Sequence, residues 1–372
     1  MASEAERDRW ISCLSEAARL KVEDLYEFDS SSMGEVLGRG RFATVYPGRR
    51  RQEKRNLDNN SSVGTNQSNG SGGILKKKPS FTSFANLTVP LAKDDYECAL
   101  KVIDKHKFWD RVRKDEERSD SIVREASVQA ALLATDDIYP GFLKVKSFFE
   151  TTNEVILELE LLDGADLYQY ISSKESVSEV EAAQIMFDII NCLDAMEANG
   201  ITHRDIKPAN ILMADKDSSG ITVKLGDFGM AAFVGPDNLV RGRCGTPGYV
   251  APEILAAKQN DGYKNKVDMF SAGVLLYILL CGYEPFSHAK SEKELISENT
   301  KAKVEYPAAD WSTVSVEGRD LVEQMLERDP SKRIEPKKAL QHPWITRRAT
   351  PNKPTMTTSS KASLEDFACS IS

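Results

Sequence analysis

The chain has 372 residues, of which 41% are hydrophobic and 28% charged, and 49 basic against 57 acidic side chains give a net charge of −8. This ordinary globular mixture excludes a collagen-like, fully disordered or disulfide-scaffold protein, and the length allows two or three domains. A net acidic chain has no general attraction for nucleic acid, so no nucleic-acid partner is expected.

Cysteine usage and the N-terminus bear on the cellular compartment. The six cysteines are scattered with no CxxC pair and only four histidines are present, so no structural zinc site is expected and reduced thiols indicate the cytoplasm. The N-terminal MASEAERDRW is charged where a signal peptide needs an apolar core. The apolar run 269–280 contains Ser271 and Gly273 and is too short to span a bilayer, so it predicts a buried helix.

The first predicted element is a short helix over 3–20. Ser3 and Glu6 form a capping box, and Trp10 and Leu14 begin an apolar face. A helix docked on a neighbouring domain is the simpler interpretation. The alternative is based on ERDRWISCL, which resembles the last helix of a pleckstrin-homology domain and would make the chain part of a larger, membrane-recruited protein.

From Met33, alternation around a glycine-rich turn predicts a hairpin. Residues 49–95 follow, with basic ends and a middle dominated by Asn, Ser and Gly, and this composition predicts a disordered insertion. The basic ends are interpreted as a solvated surface, with a membrane or phosphate contact as the weaker alternative.

Further strands are predicted at 96–105 and 155–162, with a helix at about 115–134 between them. After the second of these strands the pattern is mostly helical, apart from two strand-like pieces at 211–214 and 221–226. Strands first and helices later indicate an α+β chain with two lobes.

Several short motifs suited to phosphate chemistry occur in a fixed order. Gly38 and Gly40 lie in a strand–turn–strand, where glycine lets backbone N–H groups approach a phosphate closely. Lys101 lies on a strand, and an interior-facing lysine needs an anionic partner, which Glu125 of the next helix can supply. Downstream come His203-Arg204-Asp205-Ile206-Lys207-Pro208-Ala209-Asn210, then Asp227-Phe228-Gly229, then Ala251-Pro252-Glu253. Single motifs of this length arise by chance, but this ordered set does not.

With these motifs the chain resembles a eukaryotic protein kinase of the serine/threonine type. Segments CGTPGYVAPEIL (244–255), SAGVLLYILLCGYEPF (271–286) and ALQHPWI (339–345) resemble the calcium/calmodulin-dependent protein kinase group. The resemblance implies an α+β, two-lobed fold with a small antiparallel-sheet N-lobe carrying one main helix and a larger, mostly helical C-lobe. It divides the chain into an N-terminal extension at 1–28, a kinase domain at 29–345 with its N-lobe at 29–160 and C-lobe at 163–345, and a flexible tail at 346–372.

The resemblance also implies roles in transferring the ATP γ-phosphate to protein Ser/Thr hydroxyls. The glycine loop would cover the nucleotide phosphates, and Lys101, held by Glu125, would bind the α and β phosphates. Asp205 would accept the proton of the substrate hydroxyl, and Lys207 would steady the γ-phosphate.

Metal and adenine sites follow from the same resemblance. Asn210 and Asp227 would hold Mg²⁺ through hard oxygen ligands. The implied nucleotide site consists of apolar walls (Leu37, Val45, Ala99 and Leu212), the loop glycines (Gly38 and Gly40), a gatekeeper (Leu159), backbone groups that read the adenine edge (Glu160 and Leu162) and a ribose contact (Asp166).

The comparison with the kinase family also identifies residues with structural roles and residues that depart from the family pattern. Glu253 and Arg333 are expected to form a buried ion pair, and Asp268 to anchor the backbone of the His203 motif. Ala43 replaces the third loop glycine, and one methyl group there should be tolerated. Gln129 stands where kinases place an apolar side chain, and a buried amide without partners costs about 1–3 kcal/mol.

The segment between Asp227 and Glu253 contains no serine, and Thr246 is its single threonine. In the family that threonine touches the catalytic aspartate. The activating phosphate that commonly pairs with Arg204 therefore has no obvious acceptor apart from Tyr249, which is expected to be structural. We therefore expect activity without activation-segment phosphorylation. The alternative is a catalytically weak or dead kinase-fold scaffold, which Ala43 and Gln129 alone support, since the catalytic lysine and aspartates are all present.

Protein substrates with Ser/Thr acceptors are the expected partners. Asp166 predicts a modest preference for an upstream arginine, modest because residue 209 is alanine where relatives often carry glutamate. Arg347-Arg348-Ala349-Thr350 and Lys77-Lys78-Pro79-Ser80 fit this preference as autophosphorylation sites, with a loose basic tail and loop as the simpler interpretation. The residues after Ile345 lack a basic amphipathic helix, so calmodulin control is not expected.

Overall fold

The computed structural model describes residues 25–28, 36–51, 96–133, 140–162, 164–174, 176–214, 221–257 and 261–349. The predicted helix over 3–20, nearly all of the predicted insertion, and the tail from Thr350 onward lie outside these residues. Within them, a sheet forms the N-terminal part of the fold and helices dominate the remainder.

The N-terminal part is a six-stranded antiparallel sheet. Its strands are β1 (Tyr26–Glu27), β2 (Gly38–Arg39), β3 (Ala43–Arg50), β4 (Cys98–Asp104), β5 (Val145–Glu150) and β6 (Glu154–Glu160). The order is β1-β3-β4-β6-β5, and β2 pairs with β3. The register places Lys101 between Val45 of β3 and Leu157 of β6, so this lysine lies on the central strand of the path.

The two faces of the sheet carry separate apolar clusters, as the alternation of side chains along a strand requires. Ala99, Ile103 and Leu157 belong to one cluster, and Leu100 and Ile156 belong to the other. Residues two apart along a strand share a face of the sheet. Lys101 therefore lies on the same face of β4 as Ala99 and Ile103.

Two boundaries expected from the sequence differ in the structure. Arg49 and Arg50, assigned above to the start of the insertion, are the last residues of β3. They pair with Glu27 and Tyr26, which were assigned to the N-terminal extension but form a strand of the same sheet. The arginines are neutralised within the fold, since Arg49 contacts Glu27 at 2.7 Å and Arg50 contacts Glu158 at 3.0 Å.

Helices follow the central strand and then make up most of the second part. They are α1 (Lys105–Arg113), α2 (Ser121–Leu133), α3 (Leu167–Ser172), α4 (Glu179–Ala198), α5 (Pro252–Ala256), α6 (Val267–Cys281), α7 (Glu292–Lys301), α8 (Ala308–Trp311), α9 (Val316–Met325), α10 (Pro336–Leu340) and α11 (Pro343–Thr346). The α+β, two-part architecture expected from the sequence is confirmed. Helix α1 was missed, since Phe108 is its single buried side chain and the sequence around it is polar.

Helices α4 and α6 are the central elements of the helical core. Ser178 and Glu181 form a capping box at the start of α4, and α6 is buried from Val267 to Leu279, as the apolar run predicts. Gly282 ends α6 in a left-handed conformation with a φ of 86°, a backbone geometry that glycine adopts without strain. Among the described residues, no helix combines the length and apolarity needed to cross a membrane.

Short paired strands fix the loops that lie between the two parts. They are β7 (Ile201–Thr202) with β10 (Ala232–Phe233), β8 (Ile211–Met213) with β9 (Val223–Leu225), and β11 (Val240–Arg241) with β12 (Gly262–Tyr263). The His203 motif connects β7 to β8, and Asp227 lies between β9 and β10, so both motifs lie between the same two strand pairs.

Candidate active site

Helix α6 anchors the backbone of the His203 motif through one carboxylate. The Asp268 carboxylate, buried in the first turn of α6, accepts hydrogen bonds from the backbone N–H groups of His203 and Arg204, both at 2.7 Å. Arg204 has a φ of 69°, a conformation that costs energy for a side chain other than glycine. The predicted anchoring role of Asp268 is confirmed, since the carboxylate holds the loop in this strained conformation.

Asp205 is buried at the centre of a hydrogen-bonded cluster. Its Oδ1 accepts from the Thr246 hydroxyl at 2.6 Å, and its Oδ2 accepts from Lys207 Nζ at 2.8 Å. The Lys207 ammonium also donates to Thr246 at 2.9 Å. Asn210 donates through its amide nitrogen to the backbone oxygen and Oδ2 of Asp205, at 2.8 and 3.0 Å. Three sequence-predicted residues, Lys207, Asn210 and Thr246, are thereby held around the Asp205 carboxylate.

A second charged cluster lies where β4 faces α2 and the Asp227 loop. Lys101 Nζ contacts Glu125 Oε1 at 2.5 Å and Asp227 Oδ1 at 3.3 Å. Burial lowers the pKa of the Lys101 ammonium, but the two carboxylates outweigh this effect and raise the pKa above its usual range. The same lysine lowers the pKa of Asp227. Both groups therefore stay charged at neutral pH, as binding to phosphate and a cation requires.

The Asp227 carboxylate is open to solvent, with 53% of the side chain exposed, while the next residue points inward. Asp227 itself has a left-handed backbone with a φ of 55°. Phe228 is buried, with its ring 5.3 Å from His203 and 6.2 Å from Phe142 between centroids. This aromatic packing fixes the loop so that the carboxylate faces away from the core.

The glycine-rich turn leaves free space beside its backbone. Neither Gly38 nor Gly40 has a positive φ, and a Cβ atom at either position would meet neighbouring atoms no closer than 3.9 and 3.6 Å respectively. The fold itself would therefore tolerate alanine at both positions. The space that a side chain would fill fits the expectation that a phosphate group approaches this backbone.

Several residues expected around adenine lie together on one face of the sheet, where Ala99 of β4 pairs with Leu159 of β6. Ala99 is buried in the same cluster as Leu159, Val45 packs against that cluster, and Leu37 is half-exposed at the entrance of the turn. Leu162 is half-buried just beyond β6. The structure thus gathers these apolar residues on the sheet side.

The opposite wall comes from the β8–β9 hairpin. Leu212 forms a bridge with Asp166, and Asp166 caps α3 by accepting from the Gln169 backbone N–H at 2.8 Å. The Glu160 carboxylate contacts Lys224 of β9 at 2.7 Å, and its backbone N–H donates to the Lys144 carbonyl. The Glu160–Lys224 pair joins the end of β6 to the hairpin, and nothing in the sequence pattern had indicated it.

Ala43 fits its position without strain. The residue is buried in the apolar cluster beneath the sheet, and its carbonyl accepts from the Gly40 backbone N–H at 2.8 Å. Its methyl group packs in that cluster. The departure from the glycine pattern is explained by this packing.

Gln129 is unusual because it is a buried amide with an unpaired oxygen. Its side chain is 6% exposed, and Oε1 has no hydrogen-bond partner among the described residues. It lies one turn after Glu125 on α2, so the unpaired oxygen belongs to the helix that holds Lys101. The structure therefore carries the energetic cost that the sequence predicts.

Gln129→Met is expected to stabilise the protein by about 1–2 kcal/mol, since it removes a buried acceptor that lacks a partner and keeps a similar volume. Because α2 also presents Glu125, the KM for ATP is expected to fall. Urea unfolding and ATP titrations measure the two effects. Gln341→Met, at an exposed position, is the matched control and should change neither. An unchanged midpoint for Gln129→Met would show that the amide is satisfied in solution.

The predicted ion pair of Glu253 with Arg333 is confirmed. The two guanidinium nitrogens of Arg333 contact the Glu253 oxygens at 2.6 and 3.1 Å. The arginine also donates to the Lys266 and Glu327 carbonyls at 2.9 Å, and its guanidinium lies 5.2 Å from the Phe270 ring centroid. This side chain joins the start of α6, the first turn of α5 and the loop after α9.

Fixed cations and carboxylates around one cleft suit phosphoryl transfer, which needs positioning and charge neutralisation more than covalent chemistry. The fold and the site together define a phosphotransferase. A sequence profile of the family described as "Protein kinase domain" matches residues 87–345, and the chain belongs to this family. The profile match begins after the glycine turn, yet the structure places that turn in the same sheet as β4.

Several curated relatives are serine/threonine kinases. "Myosin light chain kinase A" of Dictyostelium discoideum is 30% identical over 325 residues, covering 87% of this chain and 89% of the relative. "Calcium/calmodulin-dependent protein kinase type IV" of Homo sapiens is 38% identical over 211 residues, covering 57% and 44%. "Calcium-dependent protein kinase 3" of Plasmodium berghei (strain Anka) is 34% identical over 280 residues, covering 74% and 49%. The chain is an ATP-dependent protein serine/threonine kinase with the expected fold.

Proposed function

We propose that this kinase is catalytically competent without phosphate on its activation segment. The observation that carries the proposal is the set of partners of Arg204. Its Nε donates to the Met230 carbonyl at 2.8 Å, and its Nη1 donates to the Arg241 carbonyl at 2.9 Å and contacts the Tyr263 hydroxyl at 3.3 Å. Tyr263 in turn donates to the Gly242 carbonyl at 2.7 Å. The segment's own backbone therefore supplies the acceptors that a phosphate would otherwise provide.

A second arginine supports the same conclusion. Arg124, next to Glu125 on α2, donates through Nε to the Ala231 carbonyl at 2.9 Å. Sequence reasoning missed this contact, although the arginine's place beside the glutamate of α2 was the available signal. Arg124 connects α2, and Arg204 connects the catalytic loop, to the start of the activation segment. In this arrangement the Lys101–Glu125 pair is already formed.

The mechanism follows from the Asp205 cluster. In the proposed reaction, the substrate hydroxyl would donate its proton to Asp205 while the hydroxyl oxygen attacks the γ-phosphorus of ATP. The bond between the γ-phosphorus and the β–γ bridging oxygen would break, and ADP would leave with that oxygen. Thr246 and Lys207 orient the carboxylate, and the ammonium of Lys207 is placed to neutralise charge that develops on the transferred group. Lys101, fixed by Glu125, would bind the α and β phosphates and hold the nucleotide in line.

The divalent metal that protein kinases use fits the residues present. Asp227 offers a solvent-facing carboxylate, and Asn210 uses its amide nitrogen toward Asp205, which leaves its side-chain oxygen for a hard cation. These two residues would hold Mg²⁺, which would supply charge neutralisation between the phosphates when bound.

The expected result of phosphatase treatment is an unchanged kcat/KM for transfer from ATP to a serine peptide. Peptide mass spectrometry of the active protein should find residues 230–249 without stoichiometric phosphate. A sample treated with heat-inactivated phosphatase is the control. A loss of activity that returns together with phosphate on Thr246 or Tyr249 would contradict the proposal.

The scaffold alternative makes a different prediction, namely no labelled phosphate transferred to a peptide array from ATP with Mg²⁺. The contact of Lys101 with Asp227, and the contacts of Asp205 with Lys207 and Thr246, favour the active enzyme.

The proposal further includes a modest preference for an arginine upstream of the acceptor, which Asp166 would bind. It also includes a cytoplasmic location, which is consistent with the four described cysteines, all of them free thiols.

A further inference from the structure

The tip of the glycine turn receives little support from its own strands. Strand β2 is two residues long (Gly38–Arg39) and pairs with β3, and Gly40 and Arg41, which follow it, are exposed. A segment with few buried contacts and an exposed backbone opens at a low free-energy cost. The position of this tip therefore depends on contacts that it makes outside the sheet.

The first of these contacts joins the tip to helix α1. The ring of Phe42 lies 5.2 Å from the ring of Phe108 between centroids, in an edge-to-face arrangement that is favourable beyond the area it buries. The Phe42 carbonyl also accepts from the backbone N–H of Asp104 at 3.0 Å. Asp104 is the N-cap of α1, and its side chain accepts from the Lys107 N–H. The side chain and the backbone of one tip residue thus both contact α1 and its cap.

Helix α1 is itself attached to the sheet. Its first residue, Lys105, donates through the backbone N–H to the Asn153 carbonyl at 2.9 Å, and its ammonium contacts Glu150 of β5 at 2.6 Å. Beyond the last residue of α1, the Glu116 backbone N–H donates to the Arg111 carbonyl at 2.9 Å. The connection from α1 to α2 therefore folds back against α1, and both can serve as a fixed support.

The second contact joins the tip to this connection through an ion pair. The Glu117 side chain is 10% exposed, and its Oε2 lies 3.5 Å from Nη1 of Arg41. Its Oε1 accepts from the Ser121 hydroxyl at 2.5 Å and from the Arg118 backbone N–H at 3.1 Å. One carboxylate oxygen therefore fixes the side chain at the start of α2, and the other faces the turn. The Arg41 side chain is 47% exposed, so it can return to water when the turn opens.

We propose that Phe108 and Glu117 are positioning residues that hold the glycine turn closed over the nucleotide phosphates, the first through Phe42 and the second through Arg41. The inference rests on the proposed nucleotide binding by this kinase, and it gives α1 and its connection to α2 a role in that binding. Each residue acts through the turn and not on the nucleotide itself. Because the turn covers the phosphates and not the base, both contacts strengthen the binding of ATP and leave that of adenosine unchanged.

The first test compares Glu117→Gln with the wild-type full chain by calorimetric titration of ATP with Mg²⁺ and, separately, of adenosine. The glutamine oxygen can still accept from Ser121 and the Arg118 N–H, while the charge that faces Arg41 is lost. The Kd for ATP is expected to rise about threefold, as for loss of a partly exposed ion pair, and the Kd for adenosine should not change. An unchanged Kd for ATP, or an equal rise for both ligands, would overturn the role of Glu117.

A double-mutant cycle separates the ion pair from independent effects of its two members. In an Arg41→Met background, Glu117→Gln should cause no further rise in the Kd for ATP, because the contact is already lost. A full threefold rise in that background would contradict the pairing. Glu116→Gln is the matched control, since this neighbouring carboxylate is exposed and contacts Arg111 at 3.3 Å instead of the turn. It should bind ATP as the wild type does.

Phe108→Leu tests the aromatic contact. Leucine keeps an apolar side chain in the buried position of α1 and removes the ring that meets Phe42, so the Kd for ATP is expected to rise about fivefold. The Kd for adenosine should again stay at the wild-type value, which also shows that the variant is folded. A loss of adenosine binding as large as that of ATP would mean that Phe108 supports the fold alone, and would overturn its positioning role.

Transfer of labelled phosphate from ATP to a serine peptide is measured on the same wild-type sample. Absence of transfer would contradict the proposed function, whereas the comparison of ATP with adenosine needs no transfer and still decides the role of the two residues. The two failures are therefore distinguishable.

Discussion

Asp205→Asn is expected to lower kcat/KM for phosphate transfer by about 10²- to 10⁴-fold, the contribution typical of a positioned general acid or base. The amide cannot accept the proton of the substrate hydroxyl. It also brings an N–H₂ group toward either the Thr246 hydroxyl or the Lys207 ammonium, both of which donate to the native carboxylate. The effect should therefore appear mainly in kcat, measured as transfer of labelled phosphate to a serine peptide.

The control for this change is Asp115→Asn, the same substitution at an exposed residue after α1. Asp115 has a φ of 58°, a conformation that asparagine also adopts readily, so this variant should retain wild-type activity and stability. Nucleotide binding by Asp205→Asn, followed by thermal shift with ATP and Mg²⁺, should also persist. Activity of Asp205→Asn within tenfold of wild type would remove the aspartate from its assigned role.

Arg333→Met is expected to cost about 3–5 kcal/mol of stability, since removing one partner of a buried ion pair leaves the other charge uncompensated. The Arg333 side chain is 0% exposed. The substitution leaves the Glu253 carboxylate and two backbone carbonyls without their donor. Urea unfolding of the variant should show a lower midpoint, with the KM for ATP unchanged at temperatures where the protein remains folded.

The double variant Glu253→Gln with Arg333→Met should recover part of this loss, because it also removes the stranded charge. Arg347→Met is the matched control. Its ion pair with Glu317 at 2.8 Å lies in an exposed position, and such pairs contribute about 0–1 kcal/mol. Equal losses for the buried and the exposed arginine would contradict the role assigned to the Arg333–Glu253 pair.

Much of the site could be predicted because its chemistry is concentrated in short, ordered motifs. Lys101 needed an anionic partner on physical grounds, and the structure pairs it with Glu125. The Arg333–Glu253 pair and the anchoring by Asp268 required the family resemblance, since no spacing rule brings residues so far apart together.

Other features could not be predicted, since they depend on tertiary approach between segments that carry no recognisable pattern. Arg204 finds carbonyl acceptors on Met230 and Arg241, and any residue type provides a carbonyl. The insertion boundary was placed too early because the basic composition of Arg49 and Arg50 resembles a solvated segment. Pairing with Tyr26–Glu27 gives those arginines partners that only the folded sheet provides.

The pairing of β3 with β4 has a consequence for the tolerance of the fold to insertions. These adjacent strands close a loop over residues 51–97, and the entropy cost of closing a loop grows only with the logarithm of its length, about 0.6 kcal/mol for each doubling. The register from Ala43–Ile103 to Gly48–Cys98 is set by the strands themselves. Evolution could therefore lengthen or shorten this connection, and an engineer could place a reporter domain there, with little effect on the distance between the glycine turn and Lys101.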